Sequence, residues 1–174
     1  MDIELDLNHI GWIALEKDNE NVEFRTFLKT HDLSSQEIDL IAHRITDEVS
    51  AQIDCTECGN CCKQISPTLA QNDISNFASG IKMSVKKFQE IYLILDEDDS
   101  STYLFKQQPC PFLKDNLCIN YDNRPADCQS YPHIDKENFV SRLWGVIDNY
   151  AICPIVFNVY EHLKIELSFT PSEV

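Results

Sequence analysis

The sequence predicts a mainly α-helical, irregular single domain with one small β-hairpin. Apolar residues recur at three- and four-residue steps in several stretches, which is the spacing of amphipathic helices. One pair of short apolar runs is separated by a polar turn, which is typical of a hairpin. The length of 174 residues fits one domain, and a hydrophobic content of 43% is enough for a packed core.

The first 54 residues contain no cysteine and predict three helices. The first two are short and cover the apolar residues of 10–14 and 22–28. The third has a clearer signal, because Ser34 and Glu37 have the spacing of a capping box. Apolar residues then recur at helical steps up to the cysteine-rich stretch: Ile38, Ile41, Ile45, Val49 and Ile53.

The middle of the chain predicts shorter elements. Asp73 and Ser84 are candidate caps of two helices, the second of which extends to Leu95. Residues 103–105 predict a strand. The polar residues 114–116 predict the turn of the hairpin, which would aim the cysteines on either side of it toward a common point.

The last third of the chain predicts two helices and a strand. Pro125 suits the first position of a short helix that ends near Cys128. Residues 139–147 predict a strand. Cys153 and Pro154 then begin the last helix.

The cysteines are the main chemical signal in the sequence. Four of the eight lie within eight residues, and the other four follow at wide intervals. Thiolate sulfur is a soft ligand that suits zinc and iron–sulfur centres. Cys55, Cys58 and Cys61 have the spacing of the first three ligands of the bacterial ferredoxin pattern, and Gly59 favours the tight turn between them. The candidate ligands are Cys55, Cys58, Cys61, Cys62, Cys110, Cys118, Cys128 and Cys153.

The adjacent pair Cys61 and Cys62 predicts two metal centres. In an extended backbone, successive side chains leave on opposite faces, so these two sulfurs would serve different centres. One predicted centre contains Cys55, Cys58, Cys61 and the remote Cys153. The other contains Cys62, Cys110, Cys118 and Cys128. We therefore divide the chain into an N-terminal helical extension (1–51), a metal-organised cysteine-cluster domain (52–165) and a tail (166–174).

Two alternatives to metal binding exist for these cysteines. An even number of cysteines also suits a disulfide framework, but the chain is longer than typical disulfide-stapled domains. It opens with Met1-Asp2-Ile3-Glu4, which is unlike a secretory signal and predicts a cytoplasmic location. The second alternative is a set of reduced thiols that bind nothing.

Charge narrows the range of partners. The net charge is −15, which excludes nucleic-acid binding by a basic surface and disfavours an anionic membrane. A metal ion, a basic partner protein or a cationic substrate is electrostatically favoured. No apolar run approaches the length of about 18 residues that a membrane span requires.

The ordered motifs resemble the CxxCxxCC cysteine-cluster family, which comprises YkgJ-like zinc- or iron-chelating proteins and includes flagellin lysine N-methylase. The resemblance covers roughly residues 52–156. It rests on Cys55-x-x-Cys58-Gly59-x-Cys61-Cys62, Cys110-Pro111-Phe112-Leu113, Cys118-Ile119-x-Tyr121, Arg124-Pro125-x-x-Cys128 and Tyr131-Pro132. It implies metal chelation, and the methylase members imply a [4Fe–4S] cluster and methylation of lysine side chains.

The chain departs from the family pattern after Cys128. Relatives usually have arginine in the next position, where this chain has Gln129. Arg124 remains, either as a carboxylate-binding group or as a structural hydrogen-bond donor within its loop. His133 follows Tyr-Pro where relatives often have an aromatic residue, and we interpret it as a surface histidine rather than a ligand.

We therefore predict a cytoplasmic protein that holds zinc or iron–sulfur centres through cysteine thiolates. Three classes of function fit this prediction. A structural module would use the metal for folding energy, an iron–sulfur enzyme would modify a protein side chain in the manner of the lysine N-methylase, and a metal chaperone or store would hand the metal on.

Overall fold

The computed structural model describes residues 2–172. It is mainly helical, at 58%, and contains two small antiparallel strand pairs, so the predicted fold class is confirmed. The chain divides into two compact units. The first contains the residues up to Asp54 and those from Pro132 onward, and the second is Cys55–Tyr131.

The α-helices are α1 (Leu7–Glu16), α2 (Asp18–Thr30), α3 (Ser35–Ser50), α4 (Cys55–Cys58), α5 (Asn60–Gln64), α6 (Gln71–Gly80), α7 (Val85–Tyr92), α8 (Ala126–Ser130), α9 (Leu143–Tyr150) and α10 (Pro154–Glu166). The strands are β1 (Leu93–Leu95), β2 (Tyr103–Phe105), β3 (Leu113–Lys114) and β4 (Leu117–Cys118). Two 3₁₀ turns, Tyr121–Asn123 and Phe139–Arg142, precede α8 and α9.

The first unit is built around α10. This helix begins at Pro154, which has no N–H to satisfy at a helix start, and it is buried along most of its length. Helix α3 packs against it. The predicted capping box is present, because Ser34 accepts from the Glu37 backbone N–H and the Glu37 carboxylate accepts from the Ser34 backbone N–H.

A buried charge cluster lies inside this unit. The side chain of Lys164 is only 6% exposed, and its Nζ donates to Glu161 Oε1 at 2.6 Å and to Glu20 Oε1 at 2.7 Å. Asn21 Oδ1 accepts a third bond at 2.7 Å. Tyr150 donates its hydroxyl to Glu161 at 2.8 Å. The ammonium is thus fully compensated, as a buried charge requires.

The second unit has its own aromatic core. The rings of Phe77, Phe88, Phe105 and Phe112 contact one another at centroid distances of 4.7–6.4 Å, and Cys110 and Cys118 pack against this core. Strands β1 and β2 pair in register from Leu93↔Phe105 to Leu95↔Tyr103. Strands β3 and β4 form the predicted hairpin, with Leu113 opposite Cys118.

Two secondary-structure predictions are wrong. Residues 139–147 form a 3₁₀ turn and the start of α9, not a strand. The buried residues of this segment follow helical steps, because one face packs into the core: Phe139, Leu143, Val146 and Tyr150. Helix α7 ends at Tyr92, not Leu95, because residues 93–95 pair with β2.

The predicted tail begins near the end of α10. Phe169 packs its ring against Phe24 and Phe27 at centroid distances of 5.0 and 5.3 Å. Residues 173 and 174 lie outside the described residues, and the domain boundaries after residues 51 and 165 stay predictions. Within residues 2–172, no helix is both long and apolar enough to cross a bilayer.

Candidate metal centre

A cavity of about 120 Å³ lies in the second unit, and cysteines dominate its chemistry. Its volume is several times the ~10–15 Å³ that a single water-sized occupant needs. Aromatic and aliphatic side chains, Asn116, Asp127 and Arg124 also line it. Six of the eight cysteines line it: Cys55, Cys61, Cys62, Cys110, Cys118 and Cys128.

The cysteine-rich stretch reaches this cavity through a sharp bend. Helix α4 ends at Cys58 and α5 begins at Asn60, so the chain reverses at Gly59, which has φ +58°. Glycine is favoured there because it has no Cβ. A Cβ at this position would also lie 2.7 Å from the carbonyl oxygen of Asn116, so the bend fits closely against the hairpin turn.

The hairpin brings two more cysteines to the cavity. Asp115 and Asn116 have φ of 50° and 64°, which is the backbone of a tight two-residue turn. Cys118 lies in β4, and Cys110 is joined to the cysteine-rich stretch because its backbone N–H donates to the Cys62 carbonyl at 2.8 Å. Both Cys110 and Cys118 line the cavity.

Backbone amides already point at two of the sulfurs. The Phe112 N–H donates to the Cys110 sulfur, and the Asn120 N–H donates to the Cys118 sulfur. Burial raises the pKa of Cys110 to about 11, and it also raises the pKa of Cys118, while these amides partly oppose both rises. Amide donors of this kind favour the thiolate form that binds metal.

The pKa of Cys62 lies below the ordinary value of a thiol. A hydrogen bond from the Cys61 thiol lowers the pKa of Cys62 to about 7, against the effect of burial, and the charges of Arg124 and Lys63 assist. The charge of a Cys62 thiolate in turn raises the pKa of Cys110, Cys118 and Cys128. The four sulfurs of Cys62, Cys110, Cys118 and Cys128 therefore form one interacting set.

Helix α8 supplies Cys128, whose pKa is raised to about 12, chiefly by burial. Two carboxylates fix the start of this short helix. Asp73 accepts from the Ala126 N–H at 3.0 Å, and Asp127 accepts from the Thr68 N–H at 3.0 Å. The prediction that Asp73 is the cap of α6 is wrong, because α6 begins at Gln71 with Ala70 as its N-cap. Asp73 lies in the first turn, and its other oxygen accepts from the Ala70 N–H.

Arg124 is held over an aromatic ring beside the cavity. Its guanidinium carbon lies 3.4 Å from the centroid of the Tyr121 ring, which is a cation–π contact. Gln129, found where relatives have arginine, donates to the Arg124 carbonyl at 2.7 Å. Within the described residues, the buried Nε of Arg124 has no hydrogen-bond partner.

The structure corrects the argument that separated Cys61 from Cys62. Residues 60–64 are helical rather than extended, and the two thiols hydrogen-bond to each other. Cys58 is half-buried at the end of α4. Cys153 lies in the first unit, as the residue before α10, and is 7% exposed. His133 also belongs to the first unit and has a positive φ of 63°.

The donor set fits a thiolate-bound metal centre, although the sulfurs do not converge on one point. All eight cysteines, each in the described part of the chain, are thiols. Among residues 2–172, no group of three or more His, Cys, Asp or Glu side chains is arranged closely enough to hold a single metal ion. The thiols instead surround the cavity. Asn116, in the hairpin turn, lies against Gly59 in the cysteine-rich stretch. The sequence gave no sign of this contact.

These features define a small helical domain whose thiols surround a cavity suited to a soft metal. The chain belongs to the CxxCxxCC family, described as a putative zinc- or iron-chelating domain, whose model matches residues 54–144. That range includes seven of the eight cysteines, all except Cys153. Searches of curated proteins and of solved structures found no match to the chain.

Proposed function

We propose that this protein holds a metal centre through the thiolates of Cys62, Cys110, Cys118 and Cys128. The observation that carries the proposal is their mutual electrostatic interaction around one cavity. Backbone N–H donors to two of these sulfurs support it further, because such donors are common around metal-bound thiolates and stabilise their charge.

The cavity favours an iron–sulfur cluster over a lone zinc ion. Zinc binds thiolates at about 2.3 Å, so four tetrahedral ligands would bring their sulfurs within about 4 Å of one another. The thiols of this site surround a cavity of about 120 Å³ and do not converge in that way. A cluster is larger than an ion and fits sulfurs that are spread around a space. When bound, it would supply one-electron chemistry.

The remaining cysteines stay candidate metal ligands: Cys55, Cys58, Cys61 and Cys153. Cys55 and Cys61 line the same cavity as the proposed set. A full complement of thiols suits a reducing compartment, and we propose the cytoplasm. The net charge of −15 favours a basic partner or substrate.

The test is the metal content and colour of protein purified without oxygen. Brown protein with matching amounts of iron and sulfide would support the cluster. Colourless protein with stoichiometric zinc would support thiolate metal binding and overturn the preference for a cluster. Wild-type protein that retains neither metal, even after reconstitution with ferrous iron and sulfide or with zinc, would overturn the proposal.

Single variants assign the ligands. We expect Cys62→Ser, Cys110→Ser, Cys118→Ser and Cys128→Ser each to lose most of the bound metal. His133→Ala is the matched control, because a site made only of cysteines does not need the imidazole. Equal loss of metal from the histidine variant would place His133 among the ligands.

A further inference from the structure

Arg124 is unusual among the groups that surround the cavity. Among the described residues that line it, Arg124 carries the single basic side chain. Its buried Nε–H has no hydrogen-bond partner, and leaving a buried donor unpaired is destabilising. Buried N–H groups in folded proteins are nearly always paired, so this one calls for an acceptor bound beside it.

The position of the guanidinium is fixed in advance. The Tyr121 ring lies beneath it, and the Arg124 backbone N–H donates to the Tyr121 carbonyl at 3.3 Å. The side chain of Gln129, which follows Arg124 in the chain, donates a hydrogen bond to the Arg124 carbonyl. A side chain held in this way loses little further entropy when it meets an acceptor, so it is preorganised for one.

Arg124 lines the same cavity as all four proposed ligands. Four thiolates around a dipositive ion or cluster core leave a net charge of about −2. A negative centre in a half-buried cavity of a chain with net charge −15 requires a nearby cation.

We infer that Arg124 is the charge-compensating residue of the metal centre, and that its guanidinium offsets the negative charge of the metal–thiolate group and donates N–H to it. This inference rests on the proposed function. Arg124 is a positioning residue and not a ligand, because a guanidinium has no lone pair to offer a metal. Loss of such a supporting group typically lowers metal affinity by about 10–100-fold.

The test compares Arg124→Met with Arg124→Lys and with a matched arginine. Arg25 also lies over an aromatic ring, 4.2 Å from the Trp144 centroid, and its Nε is also buried without a partner, but it belongs to the first unit. Arg25→Met therefore controls for the loss of a ring-stacked arginine. Each protein is reconstituted, and metal retention is measured by competition with a chelator for zinc and, for an iron–sulfur form, by a redox titration followed by visible absorption.

We expect Arg124→Met to bind zinc about 10–100-fold more weakly than the Arg25→Met control. In an iron–sulfur form its reduction potential should shift to more negative values, because an electron enters a site that has lost a positive charge. Arg124→Lys should lie between wild type and Arg124→Met. Retention and potential of Arg124→Met equal to those of the control would overturn the inference.

Two further outcomes are separated by design. If wild-type protein binds no metal, the proposed function fails, and the variants are not needed to show it. If Arg124→Met does not fold, as judged by its circular dichroism, Arg124→Gln replaces it, because glutamine keeps N–H donors but removes the charge. Metal retention and potential of Arg124→Gln equal to those of Arg25→Met would then overturn the inference, and weaker retention with a more negative potential would support it.

Discussion

The side-chain amide of Asn116 donates a hydrogen bond of 3.0 Å to the carbonyl oxygen of Glu57, and so joins the hairpin turn to the bend between α4 and α5. The same turn lies against Gly59, where an added Cβ would be 2.7 Å from the Asn116 carbonyl oxygen. The two segments that supply most of the cavity cysteines are held together at this contact.

Substitution of Gly59 should therefore weaken the whole site. Gly59→Ala forces a side chain into a positive-φ position and against backbone atoms, so we expect the free energy of unfolding to fall by roughly 2–3 kcal/mol. Chemical denaturation of the metal-loaded protein measures this loss. Gly11→Ala is the control, because α1 has open space there, and it should stabilise the protein by about 0.5–1 kcal/mol. Equal effects of the two substitutions would contradict the prediction.

Metal binding should release protons. Burial raises the pKa of Cys110 to about 11 and of Cys128 to about 12 and also raises that of Cys118, whereas the pKa of Cys62 is about 7. At about pH 8 Cys62 is mostly thiolate and the other three are thiols, so binding by all four should release about three protons, and nearly four at about pH 6.

Because binding releases protons, metal affinity should rise with pH, and metal should be lost as the pH falls. Calorimetric titration of metal-free protein with zinc, in buffers of different ionisation enthalpy, counts the protons. Release of about one proton at about pH 8 would mean that most of these sulfurs do not bind.

Glu161 should stabilise the first unit in a pH-dependent way. Burial pushes the pKa of Glu161 up, but the charge and hydrogen bond of Lys164 outweigh burial and hold it below the ordinary value. A depressed pKa contributes stability above the unfolded value of about 4.3 and loses it as the pH falls through the folded value. Glu161→Gln should thus cost roughly 2–4 kcal/mol near neutral pH, because Lys164 loses a buried partner.

The cost of Glu161→Gln should shrink below about pH 4, which denaturation curves at several pH values will show. Glu90→Gln is the control. Glu90 pairs with Lys86 on an exposed surface at 3.9 Å, and exposed pairs contribute about 0–1 kcal/mol. A penalty for Glu161→Gln that did not change with pH would show that lost packing, and not charge, is responsible.

Metal removal should loosen part of the second unit and leave the rest protected. The segments 55–64 and 110–131 consist of very short helices and two-residue strands, which are marginal without added contacts. Residues 71–92 pack into the aromatic core, and of these Phe77 lines the cavity. We expect amide exchange in the first two segments to accelerate by about tenfold or more after chelation, while residues 71–92 change little. Uniform acceleration across the unit would contradict this.

Local signals made much of the fold predictable. The Ser34–Glu37 capping box, the turn at residues 115–116 and the helix that follows Cys153 each depend on neighbouring residues, and each was found from the sequence. The prediction that α7 extends to Leu95 was wrong because Leu95 pairs with Tyr103, which lies across a loop. This strand pairing outweighed the helical pattern of the sequence. The strand predicted for residues 139–147 was wrong, although the helical steps of four and three residues between Phe139, Leu143 and Val146 were visible in the sequence.

The candidate site was predictable in content but not in arrangement. The cysteines and their soft-metal chemistry follow from residue type and spacing alone. The relative placement of Cys61 and Cys62 could not be predicted. A helix of only five residues at 60–64 has no periodic signal that distinguishes it from extended chain. The unpartnered Nε of Arg124 depends on the fold around it, so no sequence pattern could reveal it.

The spread of the cavity cysteines along the chain has a consequence during synthesis. Cys62 precedes Cys128 by 66 positions (128 − 62), so these two proposed ligands leave the ribosome at different times. At about 5–20 residues per second, the delay is roughly 3–13 seconds. For that interval the early thiols are on the nascent chain without the sulfurs that complete the centre. Partners that hold reduced thiols or deliver metal would act on this growing chain, before the finished protein exists.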